Sequence, residues 1–253
     1  MLTGVTNFRD FGGYRVGDGH RIKRGRLYRS ARPALATEAD QAIIHGLGLS
    51  AIVDLRRGSE RRGHPTGDWS ARYEMIVSDL GGDDDPWPAR LRASGGTAEE
   101  IRAYLFEFYR TAPFEDRHID LFSRYFRTLA AIDGAVLVHC AGGKDRTGIA
   151  VALTHTLLGV DPADIMSDFL LTNRLWSYDD HGAAVSRAMS EEAGRPLDEP
   201  AVRAAMELLP DYLDTALDAI SERSGSVDAY LRDVLNVDAA IRSAILERLV
   251  EPV

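Results

Sequence analysis

One run of sequence constrains this chain more than any other. An apolar stretch, Gly134–Val138, leads into His139-Cys140-Ala141-Gly142-Gly143-Lys144-Asp145-Arg146-Thr147-Gly148, and a helix-forming stretch follows over Thr147–Leu158. The order is strand, glycine-containing turn, helix N-terminus. Backbone N–H groups and a helix dipole then converge on one small loop, which makes an anion cradle. The sequence around it has to place the strand inside a sheet and the helix against that sheet. Cys140 is the only cysteine of the chain, and Arg146 follows it with five residues between. A sulfur and a fixed positive charge therefore face each other across the cradle.

The rest of the chain is consistent with one layered α/β unit over 1–253. Thr37 and Asp40 cap a helix ending near Leu47, and Leu49–Leu55 and Arg72–Val77 read as strands. Gly17-Asp18-Gly19 is a hairpin signal, and the alternating run Ile22–Tyr28 reads as an edge strand. Residues 81–97 carry Gly-Gly-Asp-Asp-Asp-Pro-Trp-Pro and Ser-Gly-Gly-Thr, which predicts a loop. Helices are expected over Ala98–Arg110 and Asp116–Ile132, then the strand Ala135–His139. Beyond it the pattern predicts helices at 147–158, 162–175, 181–193, 199–222, 226–235 and 238–250. The expected architecture is a central, mostly parallel sheet flanked by helices, with a helix-rich C-terminal half.

Composition excludes several alternatives. A net charge of −9 argues against nucleic-acid binding and requires any phosphate site to be locally positive. Basic clusters at Arg21–Arg32 and Arg56–Arg62 are available for that, although most such side chains are expected to be solvated. One cysteine builds no disulfide, and the seven histidines show no metal-ligand spacing. No apolar run is long enough for a stable membrane span. The default expectation is a cytoplasmic protein, with signal-less export left open, and with no cofactor and no metal. The oligomeric state is left open.

The chemistry of the loop follows from its residue types. Thiolates attack phosphorus, and helix N-termini and nearby cations favour thiolates. Arg146 can hold two phosphate oxygens bidentately. Gly142 and Gly143 permit the backbone angles that turn amides inward. Ala141 and Lys144 lie in the same loop as substrate-binding candidates, Thr147 is placed to hydrogen-bond the sulfur, and His139 to orient the loop. Three aspartate positions compete as proton donor to the leaving oxygen. They are read in the order Asp145 inside the loop, Asp54 at a strand end, and the Asp83–Asp85 run.

This stretch resembles the His-Cys-x-x-Gly-x-x-Arg-Thr signature of the protein tyrosine phosphatase superfamily. With Gly-Lys-Asp-Arg-Thr-Gly it is similar to the bacterial tyrosine phosphatases of the mycobacterial secreted phosphatase B type, and its loop to phosphoinositide phosphatases. Asn7–Gly13 (Asn-Phe-Arg-Asp-Phe-Gly-Gly), Leu27–Ser30, Asp54-Leu55-Arg56 and Gly225–Arg232 extend the likeness over about residues 5–250. The resemblance implies Cys140 as nucleophile and Arg146 as phosphate clamp, in a cysteine-dependent, metal-independent phosphatase of dual-specificity character. It implies Lys144 as an added charge at the loop rim for phosphorylated proteins or phosphoinositides. It also implies a helical lid, for which 81–110 and 175–222 are the candidate segments. The Trp-Pro-Asp triplet of many tyrosine phosphatases is absent, since Asp85-Pro86-Trp87-Pro88 stands instead. Two other readings of the loop are an inactive phosphate-binding module and a sulfur-transfer enzyme.

Overall fold

The computed structural model describes residues 2–17, 19–83 and 86–253. Its first half supplies β1 (Arg9–Asp10), β2 (Arg15–Val16), β3 (His20–Ile22), β4 (Leu27–Ser30), α1 (Glu38–Gly46), β5 (Leu49–Asp54), α2 (Gly58–Gly63) and β6 (Glu74–Ile76). Then come α3 (Pro86–Ala93), α4 (Ala98–Thr111), α5 (Asp116–Ala131), β7 (Ala135–His139) and α6 (Asp145–Leu158). The second half continues with α7 (Pro162–Leu175), α8 (Tyr178–Ala193), α9 (Glu199–Met206) and α10 (Pro210–Ser224). A short turn of helix, α11 (Val227–Ala229), runs into a π-helical turn at Tyr230–Val234, and α12 (Ala239–Leu249) and β8 (Val250–Pro252) close the chain.

The central sheet has the order β1-β4-β7-β5-β6, and all its pairings are parallel except β1 with β4. A small antiparallel sheet, β2-β3-β8, sits apart from it. Side chains alternate across the central strands, and both faces are covered. Leu27, Val53, Val136 and Val138 belong to the large core, while Tyr28, Ile52, Ala135 and Leu137 belong to a smaller core shared with Ile44 of α1. Burial on both faces is what a parallel sheet requires. The helix α6 is buried nearly all round, as expected for apolar residues on every face of it. No helix among the described residues is long and apolar enough to cross a membrane.

Capping explains where many helices begin. Thr37 and Thr97 each close a reciprocal capping box, with Asp40 and Glu100 respectively. Asp161, Ser177, Asp198 and Asp238 accept from first-turn amides of α7, α8, α9 and α12.

The sequence reading departs from the structure in five places. Residues 81–97 hold a helix, α3, where a loop was expected. Pro86 fits a first helical turn, and Leu91 anchors the helix at 1% exposure. The run Ile22–Tyr28 is two strands, because Gly25 at φ 75° turns the chain between them. The second of these lies beside β7 inside the sheet, not at an edge. The segment 199–222 breaks between α9 and α10, where Pro210 offers no N–H. There Asn173 takes over the stray peptide, accepting from Leu208 N–H and donating to Leu208 O, both at 2.8 Å. The expected helix 226–235 is one helical turn plus a π turn. The chain end, expected helical to 250, finishes as β8 paired with β3. The Gly17–Gly19 hairpin joins β2 to β3 as expected, with Asp18 outside the described residues.

Candidate active site

Register brings the site together. Ser30 of β4 and Asp54 of β5 both stand level with His139 of β7, so three parallel strands end at the same height. Cys140 leaves the middle strand at that point, and α6 begins five residues later at Asp145.

Between them the loop turns its carbonyls away from the cavity. Ala141 O accepts from Arg32 N–H at 3.0 Å. Gly142 O and Gly143 O accept from Asn7 Nδ2 at 3.2 and 2.9 Å, and Gly143 O also accepts from Arg29 Nη2 at 2.9 Å. Lys144 O takes Gly148 N–H at 2.7 Å. A trans peptide points its N–H opposite to its C=O. The amides of Gly142, Gly143, Lys144 and Asp145 are thereby turned inward, around Cys140. Gly143 makes this possible at φ 63°. A Cβ there would lie 2.3 Å from the carbonyl atoms of Ser30, so no other residue fits. Gly142 has an ordinary φ. Its role is room, since a Cβ would press on the Trp176 ring at 3.1 Å.

The outer support is a buried charge cluster. Arg29, wholly buried, meets Asp168 of α7 at 2.7 Å, and Arg9 meets the same carboxylate at 3.2 Å. Burial alone would raise the Asp168 carboxyl, but Arg29 and Arg9 hold it below the usual range. Arg9 is lowered to about 10, by burial first and then by Arg29.

A cavity of about 690 Å³ opens over Cys140, which is itself 2% exposed. Its lining is cationic on balance, with Arg32, Arg56, Arg57, Arg117, Lys144 and Arg146 against Glu60, Glu115, Asp145 and Glu192. This is the locally positive site that the acidic chain requires. Its far wall is apolar and aromatic, and comes from α3, α4 and α8 through Trp87, Leu105, Phe108 and Val185.

Arg146 lies within the first turn of α6. Glu60 of α2 grips both its terminal nitrogens, Nη1 at 2.6 Å and Nη2 at 2.7 Å. Burial pushes the Glu60 carboxyl up, but the Arg146 charge and hydrogen bonds outweigh it and hold it at about 2. Lys144, expected at the rim, is instead 4% exposed, and its Nζ lies 2.6 Å from Asp145 Oδ1. Asp145 accepts on the same oxygen from the Tyr109 hydroxyl at 2.9 Å. Thr147 is fully buried, and its hydroxyl has no hydrogen-bond partner among the described residues.

Asp54 is 1% exposed and engaged bidentately by Arg56, with 2.9 Å to Nε and 2.7 Å to Nη2. His139 Nε2 is 3.7 Å from Asp54, and its Nδ1 is 3.3 Å from Cys140 O. Burial lowers the His139 imidazole, against the opposing pull of Asp54. Asp83 is held by Arg62 at the surface, and Asp84 and Asp85 lie outside the described residues. Among the described residues, no cluster of three His, Cys, Asp or Glu side chains is arranged to hold a metal.

The structure thus lines one cavity with Cys140, Ala141, Gly142, Lys144, Asp145 and Arg146, while His139, Gly143 and Thr147 are buried outside that lining and Asp54 stands beside His139. Sequence reasoning gave no role to Asn7, Glu60 or Asp168, read Arg29 only as part of the Arg21–Arg32 basic cluster, and read Tyr109 only as part of the 81–110 lid candidate. Asn7 and Arg29 fall inside motifs that carried the family likeness. Glu60 and Asp168 carried no local signal, and nothing local tied the Tyr109 hydroxyl to Asp145.

Comparison with known proteins agrees with this geometry. A Cupriavidus necator protein named in the tyrosine-protein phosphatase class is 35% identical over 93% of this chain and 84% of its own length. The triple specificity protein phosphatase PtpB of Mycobacterium tuberculosis is 29% identical over 98% of this chain and 96% of its own. A tyrosine-protein phosphatase of Nostoc commune is 27% identical over 81% of this chain and 68% of its own. The model of the tyrosine phosphatase family matches residues 1–251, and this chain, cradle and supporting strands together, belongs to that family.

Proposed function

We propose that this chain hydrolyses phosphate monoesters, phosphotyrosine foremost, through a phosphocysteine formed on Cys140. The observation that carries the reading is that four consecutive loop carbonyls after Cys140 are bonded to Arg32, Asn7, Arg29 and Gly148, which leaves the opposing amides free to face a phosphate.

In the first step the Cys140 thiolate attacks phosphorus. The loop amides and Arg146 hold the three non-bridging oxygens, and the leaving oxygen takes a proton from Asp145. Glu60 fixes the Arg146 fork in advance, so little reorganisation is needed when charge develops on those oxygens. In the second step Asp145 accepts a proton from water, the S–P bond breaks, and the Thr147 hydroxyl donates to the departing sulfur. Arg146 and the amides supply the countercharge, so the proposed steps route through no metal or cofactor. His139 and Asp54 act behind the loop, as orienting groups. Asp54, read from sequence as a second possible acid, is committed to Arg56, which favours Asp145 for that role.

The PtpB relative is named for triple specificity, which supports substrates beyond phosphotyrosine. Lys144 at the cavity supports substrates with extra negative charge, phosphoinositides included. The helices α3, α4 and α8, which wall the cavity above Cys140, serve as the lid, and 1–253 works as one catalytic unit.

The test is hydrolysis of p-nitrophenyl phosphate by the parent and by Cys140→Ser. The variant is expected to lose turnover and keep binding of inorganic phosphate. Turnover that survives the substitution would refute the cysteine mechanism.

A further inference from the structure

The Tyr109 ring is among the most firmly held side chains of the molecule. It is fully buried in α4, stacks on Tyr212 of α10 at 5.2 Å with 9° between planes, and meets Phe169 of α7 edge-on at 6.1 Å. Its hydroxyl is not spent on the core. It reaches the catalytic loop, 2.9 Å from Asp145 Oδ1. Lys144 Nζ meets that same oxygen at 2.6 Å, and no partner reaches Oδ2 among the described residues.

Resting on the reading of Asp145 as the acid, we infer that Tyr109 is its positioning residue. By donating to Oδ1, it reserves Oδ2 as the oxygen that carries the proton to the leaving group.

The chemistry is that of a carboxyl group with two unequal oxygens. Oδ1 accepts twice, so a hydrogen placed there would displace a donor. The hydrogen of the neutral acid therefore resides on Oδ2. As the sulfur–phosphorus bond forms, the phosphorus–oxygen bond breaks with its electron pair on the leaving oxygen. That oxygen takes the hydrogen from Oδ2, and the carboxylate charge left behind is held at Oδ1 by Tyr109 and Lys144. In the second half, water bonds to phosphorus, its proton goes to Oδ2, and the electron pair of the S–P bond returns to sulfur. Tyr109 must stay a phenol throughout. Burial, and then the Asp145 charge, push its ionisation well above the ordinary value of a tyrosine. Because Tyr109 is carried by α4, a helix that also walls the cavity, the orientation of the acid depends on how that helix is seated.

Tyr109→Phe tests this with the stack kept and a single oxygen removed. Turnover of p-nitrophenyl phosphate, a good leaving group, is compared with that of phenyl phosphate, a poor one. Both are measured in the parent, in Tyr109→Phe, in Asp145→Asn and in the double variant. The expected loss for Tyr109→Phe is about tenfold on phenyl phosphate, the size of one hydrogen bond to a charged group, and under about twofold on p-nitrophenyl phosphate. In the Asp145→Asn background the substitution is expected to cost nothing further. Equal losses on both substrates, or an undiminished loss in that background, would overturn the inference and leave Asp145 as the acid. A uniform loss for Asp145→Asn across leaving groups would instead remove the acid reading on which the inference rests, and the inference with it.

Discussion

Removing the Asp168 carboxylate should unseat the catalytic loop from behind. Asp168 lies on α7, far from Cys140 in sequence, and is 1% exposed. It is the shared counter-ion of Arg29 and Arg9, at 2.7 and 3.2 Å. Asp168→Ala leaves a fully buried guanidinium at Arg29 and a second, largely buried one at Arg9. Breaking a buried pair by deleting one partner costs about 3–5 kcal/mol, because the remaining charge is uncompensated. For a chain of this size that corresponds to a fall in Tm of about 6–20 °C. Arg29 also holds Gly143 O, so the same change should weaken binding of vanadate to the cradle. The assay is urea unfolding followed by fluorescence, alongside vanadate titration. Adding Arg29→Met to Asp168→Ala should recover part of the stability, since the stranded charge is then gone. A loss below about 1 kcal/mol for Asp168→Ala, or no recovery in the double variant, would refute the claim that this buried cluster supports the loop.

Two further outcomes follow from the same geometry. Gly143→Ala should abolish phosphate binding, because its methyl would collide with the Ser30 backbone at a left-handed φ; wild-type vanadate affinity in that variant would contradict it. His118, buried beside Arg117, is lowered from 6.5 to about 3, by burial first and then by Arg117. Its folded value lies below its unfolded value, so the unfolded chain takes up a proton first, and stability falls as pH drops through that window, by up to about 1.4 kcal/mol per pH unit. Replacing His118 by Gln should flatten the decline of unfolding free energy between about pH 6 and about pH 5, and an unchanged slope would assign the decline to other groups.

The features of this molecule legible in its sequence are those that neighbouring residues determine. The strand–loop–helix around Cys140 is contiguous, and its spacing alone places the sulfur, the arginine and the glycine turn. The helices opened by Thr37, Thr97 and Asp161 announce themselves through caps one turn long. What escaped depends on contacts between residues distant in sequence. Asn7 reaches Gly143 across 136 positions, and Arg29 reaches Asp168 across 139. Nothing near Asp168 distinguishes it from an ordinary helical aspartate. Glu60 looks like a capping residue of a short helix, and is one, while its other oxygen work is done on Arg146. Lys144 illustrates the limit in another way. A lysine close to an arginine in a loop reads as a rim charge, yet its partner Asp145 is the next residue, and packing buries the lysine. The 81–97 segment, rich in glycine and proline, hid a helix because its folding rests on one buried leucine, Leu91, and not on periodicity.

The central claim is a covalent phosphocysteine, and its most direct measurement is the mass of the enzyme caught in turnover. Asp145→Asn, slowed in the water-dependent step, is mixed with p-nitrophenyl phosphate, quenched in acid within the first turnovers, digested and sequenced by mass spectrometry. The account predicts one added phosphoryl group, on the peptide containing Cys140, absent when Cys140 is serine or when vanadate is present. Product formed with no phosphorylated peptide, or phosphate carried on another residue such as His139, would contradict it.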